Sequence, residues 1–210
     1  MSKTQQNSSS FGGLHVKLPA VAPGQAIGLL GGSFNPAHEG HLNISMQALR
    51  RLNLDQVWWL VSPGNPLKSH DDLATSETRI KDARKLVRNR RIVVTGFEEH
   101  LPTPYTAATL EFLTTRLAKT RFVWLMGADN LAQLHQWKNW EDIFNLVPIA
   151  VIDRPGFRMK ARASLAAQKF ENAYVDQADA TGLASMPAPA WTFLTVPLSA
   201  ASSSALRNDP

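Results

Sequence analysis

Ala26-Ile27-Gly28-Leu29-Leu30-Gly31-Gly32-Ser33-Phe34-Asn35-Pro36-Ala37-His38-Glu39-Gly40-His41 is the stretch on which the reading of this chain turns. Residues 26–30 are apolar or glycine and bounded by a turn signal, the pattern of a short buried strand. From His41 to Asn53 the residues Leu42, Ser45, Leu49 and Leu52 recur at helical spacing and predict a helix. A strand, a glycine-rich turn and a helix in immediate succession form the place where a phosphate-binding loop belongs. Gly31 and Gly32 let the backbone approach a ligand and present N–H groups to it. Two well-known phosphate signatures are absent. Glycines at 28, 31 and 32 do not make G-x-G-x-x-G, and no Gly-Lys-Ser/Thr closes the turn. A nicotinamide-dependent dehydrogenase and a P-loop ATPase are thereby disfavoured.

Outward from this stretch, apolar runs alternate with amphipathic ones. Strands are expected at 56–62, 91–95, 121–126, 148–153 and 192–196. Helices are expected at 76–89 (with Ser76 as N-cap), 106–118, 130–136, 139–146, 160–174 and, starting, 203–208; residues 178–189 read as a loop. Strands that are apolar on both faces and alternate with helices specify an α/β fold, a Rossmann-like doubly wound parallel sheet. In such sheets ligands gather beyond the carboxyl ends of the strands, so the functional residues should lie just after strands. Residues 1–24, polar and then rich in Gly and Pro, read as a flexible or loosely docked tail. Residues 25–210 read as a single domain.

Composition narrows the classes further. The 210 residues are 44% hydrophobic, enough for one ordinary core. With no cysteine there is no disulfide framework and no thiolate metal site. The N-terminus lacks the apolar segment of a secretory signal, and runs such as Val57–Val61 are too short to span a bilayer. A cytoplasmic protein without a membrane partner is expected. A formal charge of +5 mildly favours anionic partners without choosing among them. The basic helix carrying Lys81, Arg84, Lys85 and Arg88 reads as a solvated face. No base-reading partners accompany it, so nucleic acid is not expected. A homo-oligomer is compatible with the sequence.

His38 and His41 flank Gly40 at a helix start. A zinc protease would space its two histidines four apart, in H-E-x-x-H, and here they are three apart. The alternatives are a helix-capping or surface pair, or two N–H donors aimed at phosphate oxygens, where charge stabilisation matters more than covalent help. Ser202-Ser203-Ser204-Ala205-Leu206-Arg207 follows the last strand. Serines cap a helix start, the same N–H groups attract phosphate, and Arg207 can grip it by paired bonds. Lys68, in the loop after the second strand, can meet a phosphate. Asp129, ending Gly127-Ala128-Asp129, can accept from ribose hydroxyls or cap the next helix. Thr106 can cap its own helix. Trp137 is exposed by pattern and can stack on a ring, whereas Trp140 reads as core.

Taken together, Gly31-Gly32-Ser33-Phe34-Asn35-Pro36-x-His38-x-Gly40-His41 resembles the first motif of the (H/T)-x-G-H nucleotidyltransferases, in the form used by bacterial nicotinate-nucleotide adenylyltransferases. Ser203-Ser204-Ala205-Leu206-Arg207 resembles the family's second motif, and the resemblance covers roughly residues 26–210. Ser33 and Asn35 stand where the family usually has Thr and Asp; Ser204 stands for Thr, and Pro104 for Ser. The resemblance implies the nucleotidyltransferase type of sheet. It also implies ATP and nicotinate mononucleotide as substrates, with Mg²⁺ carried on the triphosphate. ATP would be held by Gly31, Gly32, Ser33, His38, His41, Gly127, Asp129, Ser203, Ser204 and Arg207, with His38, His41 and Arg207 as the catalytic groups. The mononucleotide would be held by Lys68 at its phosphate and by Thr103, Tyr105, Thr106 and Trp137 near the pyridine ring. The product would be nicotinate adenine dinucleotide, with pyrophosphate released, in NAD biosynthesis. Other acceptors of the superfamily, nicotinamide mononucleotide or phosphopantetheine, are the nearest alternative. A non-catalytic nucleotide sensor or a basic nucleic-acid-binding protein are the alternatives of another class.

Overall fold

A computed structural model describes residues 16–64 and 73–196. Six strands form one parallel sheet: β1 (Ala26–Gly32), β2 (Gln56–Val61), β3 (Ile92–Thr95), β4 (Arg121–Gly127), β5 (Ile149–Ile152) and β6 (Trp191–Leu194). Their order is β3-β2-β1-β4-β5-β6, every neighbouring pair parallel. This is the doubly wound arrangement expected, and its order reverses between β1 and β4. The crevice beyond that reversal point is where the two central strands deliver their carboxyl ends.

Helices cover both faces, because successive side chains of each strand point to opposite sides and both sets are apolar. Ile27, Leu29, Trp58, Leu60, Trp124 and Met126 share one core with α3 (Thr106–Arg116) and α5 (Trp140–Leu146). Leu30, Val57, Trp59, Val61 and Leu125 share the other with α1 (Glu39–Arg51) and α2 (Ser76–Leu86). Trp58 and Trp59 are both fully buried, each contributing roughly 2–3 kcal/mol of burial free energy. Gly31 is obligatory at the end of β1: a Cβ there would stand 2.5 Å from the Trp124 ring.

Several boundaries differ from expectation, for local reasons. The N-cap of α2 is Thr75, whose hydroxyl accepts from Thr78 N at 3.3 Å; the Ser76 hydroxyl instead accepts from Arg79 Nη2. The helix expected over 160–174 is broken into α6 (Arg158–Arg162), α7 (Leu165–Lys169) and a 3₁₀ turn at Glu171–Ala173. Ser164 interrupts it by capping α7, accepting from Ala167 N at 3.2 Å. The loop at 178–189 contains a 3₁₀ helix, Ala180–Ser185, that buries Ala180, Leu183 and Ala184. α4 (Ala128–Gln133) begins directly at the end of β4. Residues 16–24, read as part of a tail, lie against the domain. Val16, Leu18 and Val21 pack on its core, and Gly24 is bonded to Lys119 and Arg121. Lys81, Arg84, Lys85 and Arg88 are exposed, as a solvated face should be. Among the described residues, no helix is long and apolar enough to cross a membrane.

Candidate active site

The turn after β1 is shaped by Phe34. This residue takes a positive φ of 48°, a left-handed conformation costing about 1–3 kcal/mol for a residue with a side chain. Burial of its ring offsets that cost. Phe34 is 1% exposed, stacks on Trp59 with centroids 4.9 Å apart, and touches the His41 ring at 4.6 Å. Trp59 Nε1 donates to Ser45 Oγ, which donates to His41 O. The first turn of α1 thus rests on an aromatic floor supplied by β2.

The two histidines are locked to one another. His38 is the N-cap of α1, and its Nδ1 accepts from Gly40 N at 3.1 Å. His41 Nδ1 accepts from His38 N at 3.2 Å, and the ring centroids lie 4.0 Å apart. Since both Nδ1 atoms are acceptors, each neutral imidazole carries its proton on Nε2. Burial first, and then the neighbouring His38 and Arg154, push His41 down to about 3. Burial and Arg154 lower His38 as well. At neutral pH the pair is therefore uncharged. Of the two competing expectations, capping is met: both Nδ1 atoms build the helix start, and donation to a phosphate would fall to the Nε2–H groups.

Across the reversal point, β4 ends in Gly127 and Asp129 follows. Gly127, not Asp129, is the N-cap of α4, so the capping expectation for Asp129 is not met. Asp129 Oδ2 instead accepts from Arg154 Nη1 at 2.5 Å, and its buried Oδ1 has no hydrogen-bond partner. An orphaned buried acceptor at a ligand edge suits a hydroxyl donor. Gly127 leaves room for this carboxylate, because a Cβ would come within 2.4 Å of Oδ1. Arg154, at the end of β5, was not foreseen from sequence. The signal was available: Asp153-Arg154-Pro155-Gly156 closes a parallel strand. Asp153 is occupied by Arg158 and by the Arg154 backbone N–H, so the Arg154 side chain turns to Asp129.

On the other side of the crevice, Tyr105 is the N-cap of α3 and Thr106 its first residue, so Thr106 does not cap the helix as expected. Lys138 Nζ lies 4.8 Å from the centroid of the Tyr105 ring, which brings the 103–106 and 137–138 segments to one edge. Trp137 is half-buried against the core below. Trp140, expected as core, is likewise half-buried against that core, packing edge-to-face on Phe144 and Phe170, so the expected contrast with Trp137 is not seen. Glu98, also unforeseen, is buried beneath α3 and accepts from Thr109 Oγ1 at 2.8 Å; burial pushes its carboxyl up to about 7.

The carboxyl ends of the adjacent strands β1, β4 and β5 thus bear Gly31, Gly32, Ser33, His38 and His41, then Gly127 and Asp129, then the unforeseen Arg154. Lys68, Ser203, Ser204 and Arg207 lie outside the described residues. Among the described residues, no three or more His, Cys, Asp or Glu side chains are grouped to hold a metal ion.

A cytidylyltransferase-like family model matches residues 29–209. A probable nicotinate-nucleotide adenylyltransferase of Methylorubrum extorquens (strain PA1) is 55% identical over 181 residues, 86% of this chain and 98% of that protein. Another, from Parvibaculum lavamentivorans, is 52% identical over 187 residues, 89% of this chain and 93% of that protein. The structure of Plasmodium falciparum nicotinic acid mononucleotide adenylyltransferase complexed with NaAD superposes with a TM-score of 0.67. That match covers 87% of this chain and 82% of the other at 17% identity, a likeness of fold.

Proposed function

This chain belongs to the cytidylyltransferase-like family and, within it, to the nicotinate-nucleotide adenylyltransferases, and we propose that it joins nicotinate mononucleotide to the AMP part of ATP in NAD biosynthesis. A phosphate oxygen of the mononucleotide attacks the α-phosphorus in line. The bond from Pα to the bridging oxygen breaks, pyrophosphate leaves, and nicotinate adenine dinucleotide forms. The observation that carries the reading is the interlocked histidine pair at the end of β1, with both Nδ1 atoms occupied by backbone N–H groups.

Transfer of this kind needs positioning and charge stabilisation rather than a covalent intermediate. His38 and His41 supply two preorganised, uncharged N–H donors to the phosphate oxygens, each worth about 10²–10³ in rate. Because they carry no net charge, Arg207, Arg154 and the Mg²⁺ brought in with ATP carry the counter-charge to the polyphosphate. The metal enters as part of the substrate. It keeps most of its ligands as phosphate oxygens and water.

Asp129 Oδ1, buried and unpartnered, is the acceptor for an adenosine ribose hydroxyl. Gly31, Gly32 and Ser33 line the phosphates, and Ser203 and Ser204 hold the triphosphate with Arg207. Lys68 takes the mononucleotide phosphate; Thr103, Tyr105, Thr106 and Trp137 take the pyridine ring. The cytoplasm is the proposed compartment. Pyrophosphate release from ATP and Mg²⁺, measured with nicotinate mononucleotide, nicotinamide mononucleotide and phosphopantetheine in turn, tests the reading. Release with the nicotinate form is expected to be fastest. Silence with both pyridine mononucleotides would exclude it.

A further inference from the structure

Arg79 lies on α2, in a helix whose other cations face solvent, yet it is 2% exposed. A guanidinium has five N–H donors in a fixed planar fork, and here all five are used. Nε donates to Ala74 O at 2.7 Å. Nη1 donates to Ser33 O at 2.5 Å and to Ser62 O at 2.8 Å. Nη2 donates to Pro63 O at 3.4 Å and to Ser76 Oγ at 3.1 Å. The acceptors come from three places: the turn after β1, the residues after β2, and the N-terminal end of α2. A second tie runs alongside, from Ala74 N to Asn35 Oδ1 at 3.5 Å.

This is an unusual way to spend a buried charge. None of the five acceptors is charged, and no carboxylate among the described residues forms an ion pair with Arg79. Burial disfavours the cation, and only the more distant charge of Glu99 favours it. Interiors that need only stability are as well or better served by an apolar residue of similar volume. What the fork provides is geometry. Ser33 sits at the root of the turn that carries His38 and His41. Its backbone carbonyl is fixed to β2 and α2 through one rigid planar group.

We propose that Arg79 is a positioning residue for the adenylyl transfer: by clamping the Ser33 carbonyl to the ends of β2 and α2, it sets where the His38–His41 pair stands against the phosphates. The inference rests on the function proposed above. Arg79 has no N–H donor left over, so it acts through the turn and not on the substrate. A displacement of about 1 Å in such a turn can cost about 10²-fold in rate.

The test compares wild type with Arg79→Lys and Arg79→Ala, each alone and combined with His41→Ala, reading kcat, both KM values and the thermal midpoint. Lysine keeps the charge but cannot span five acceptors. Arg79→Lys should lower kcat by ~10- to 100-fold while remaining folded at the assay temperature, with smaller changes in KM. In the His41→Ala background the loss should shrink to about threefold or less, because residues acting as a unit are non-additive. Added guanidinium ion should restore at least about tenfold of the Arg79→Ala activity, and methylammonium should not. Wild-type pyrophosphate release checks the function itself separately. The inference is overturned if Arg79→Lys keeps kcat within about twofold of wild type, or if its loss is fully additive with His41→Ala. It is equally overturned if neither variant folds, which would assign Arg79 to stability alone.

Discussion

The histidine pair makes a prediction that separates two kinds of charge stabilisation. If an imidazolium did the work, His41 would have to be protonated near pH 7. Moving it from 6.5 to about 3 means that charging the imidazole costs about 5 kcal/mol more than in water. Protonation would also place an Nδ1–H against the His38 backbone N–H, which already donates to that atom at 3.2 Å. The free protein should therefore hold His41 as the neutral Nε2–H tautomer throughout pH 5 to 8. Nitrogen-15 NMR of the imidazole reads tautomer and titration directly. It is the right assay, because a pH–rate profile is confounded by the substrate phosphate, which itself titrates near pH ~6. Stability should follow in the same sense. Between pH 6.5 and about 3 the unfolded chain binds a proton at this position that the folded one refuses, so His41's contribution is whole above 6.5 and is lost as pH falls. In turnover, His41→Ala should cost about 10²–10³ with the fold intact. A titration midpoint near 6.5, or a proton resident on Nδ1, would refute the neutral-donor account.

Other outcomes follow from neighbouring contacts. His38→Ala should be doubly damaging: loss of the α1 cap should cost about 1 kcal/mol in a urea melt, and turnover should fall about 10²-fold or more. Gly127→Ala pushes a methyl group to 2.4 Å from Asp129 Oδ1, so the KM for ATP should rise about tenfold or more while KM for the mononucleotide stays near wild type in steady-state assays. Glu98 gives a stability signature of opposite sign to His41. Its folded pKa near 7 lies above the usual 4.5, so its stabilising contribution is full below 4.5 and lost as pH rises through 7. Glu98→Gln should be up to roughly 3 kcal/mol more stable than wild type at pH 8 and no more stable at pH 4.5; denaturant melts at both values decide it.

How much of this was legible before the structure depends on the range of the interaction concerned. The strand, turn and helix start around Gly31-Gly32 and His38-x-Gly40-His41 could be read because they lie within a few residues of one another. Periodicity likewise gave the parallel doubly wound sheet, since Trp58 and Trp59 are both apolar and must face opposite cores. Asp129 was found as a strand-end acid, but not the fact that Arg154, from the next strand, would take one of its oxygens. That pairing exists only once β4 and β5 are side by side. Glu98 and Arg79 were hidden for a different reason. Glu98 adjoins Glu99, and Arg79 shares α2 with Lys81, Arg84 and Lys85, so composition marks all of them as surface. One local clue separated Arg79 from the rest. It lies four residues before Ala83, on the face that α2 turns to the sheet, and both are buried. A cation on the apolar face of an amphipathic helix must find several acceptors or be excluded. Here the carbonyls at the ends of β1 and β2 are the acceptors within reach, so the same pattern that buries Arg79 also directs it to the turn carrying the histidines.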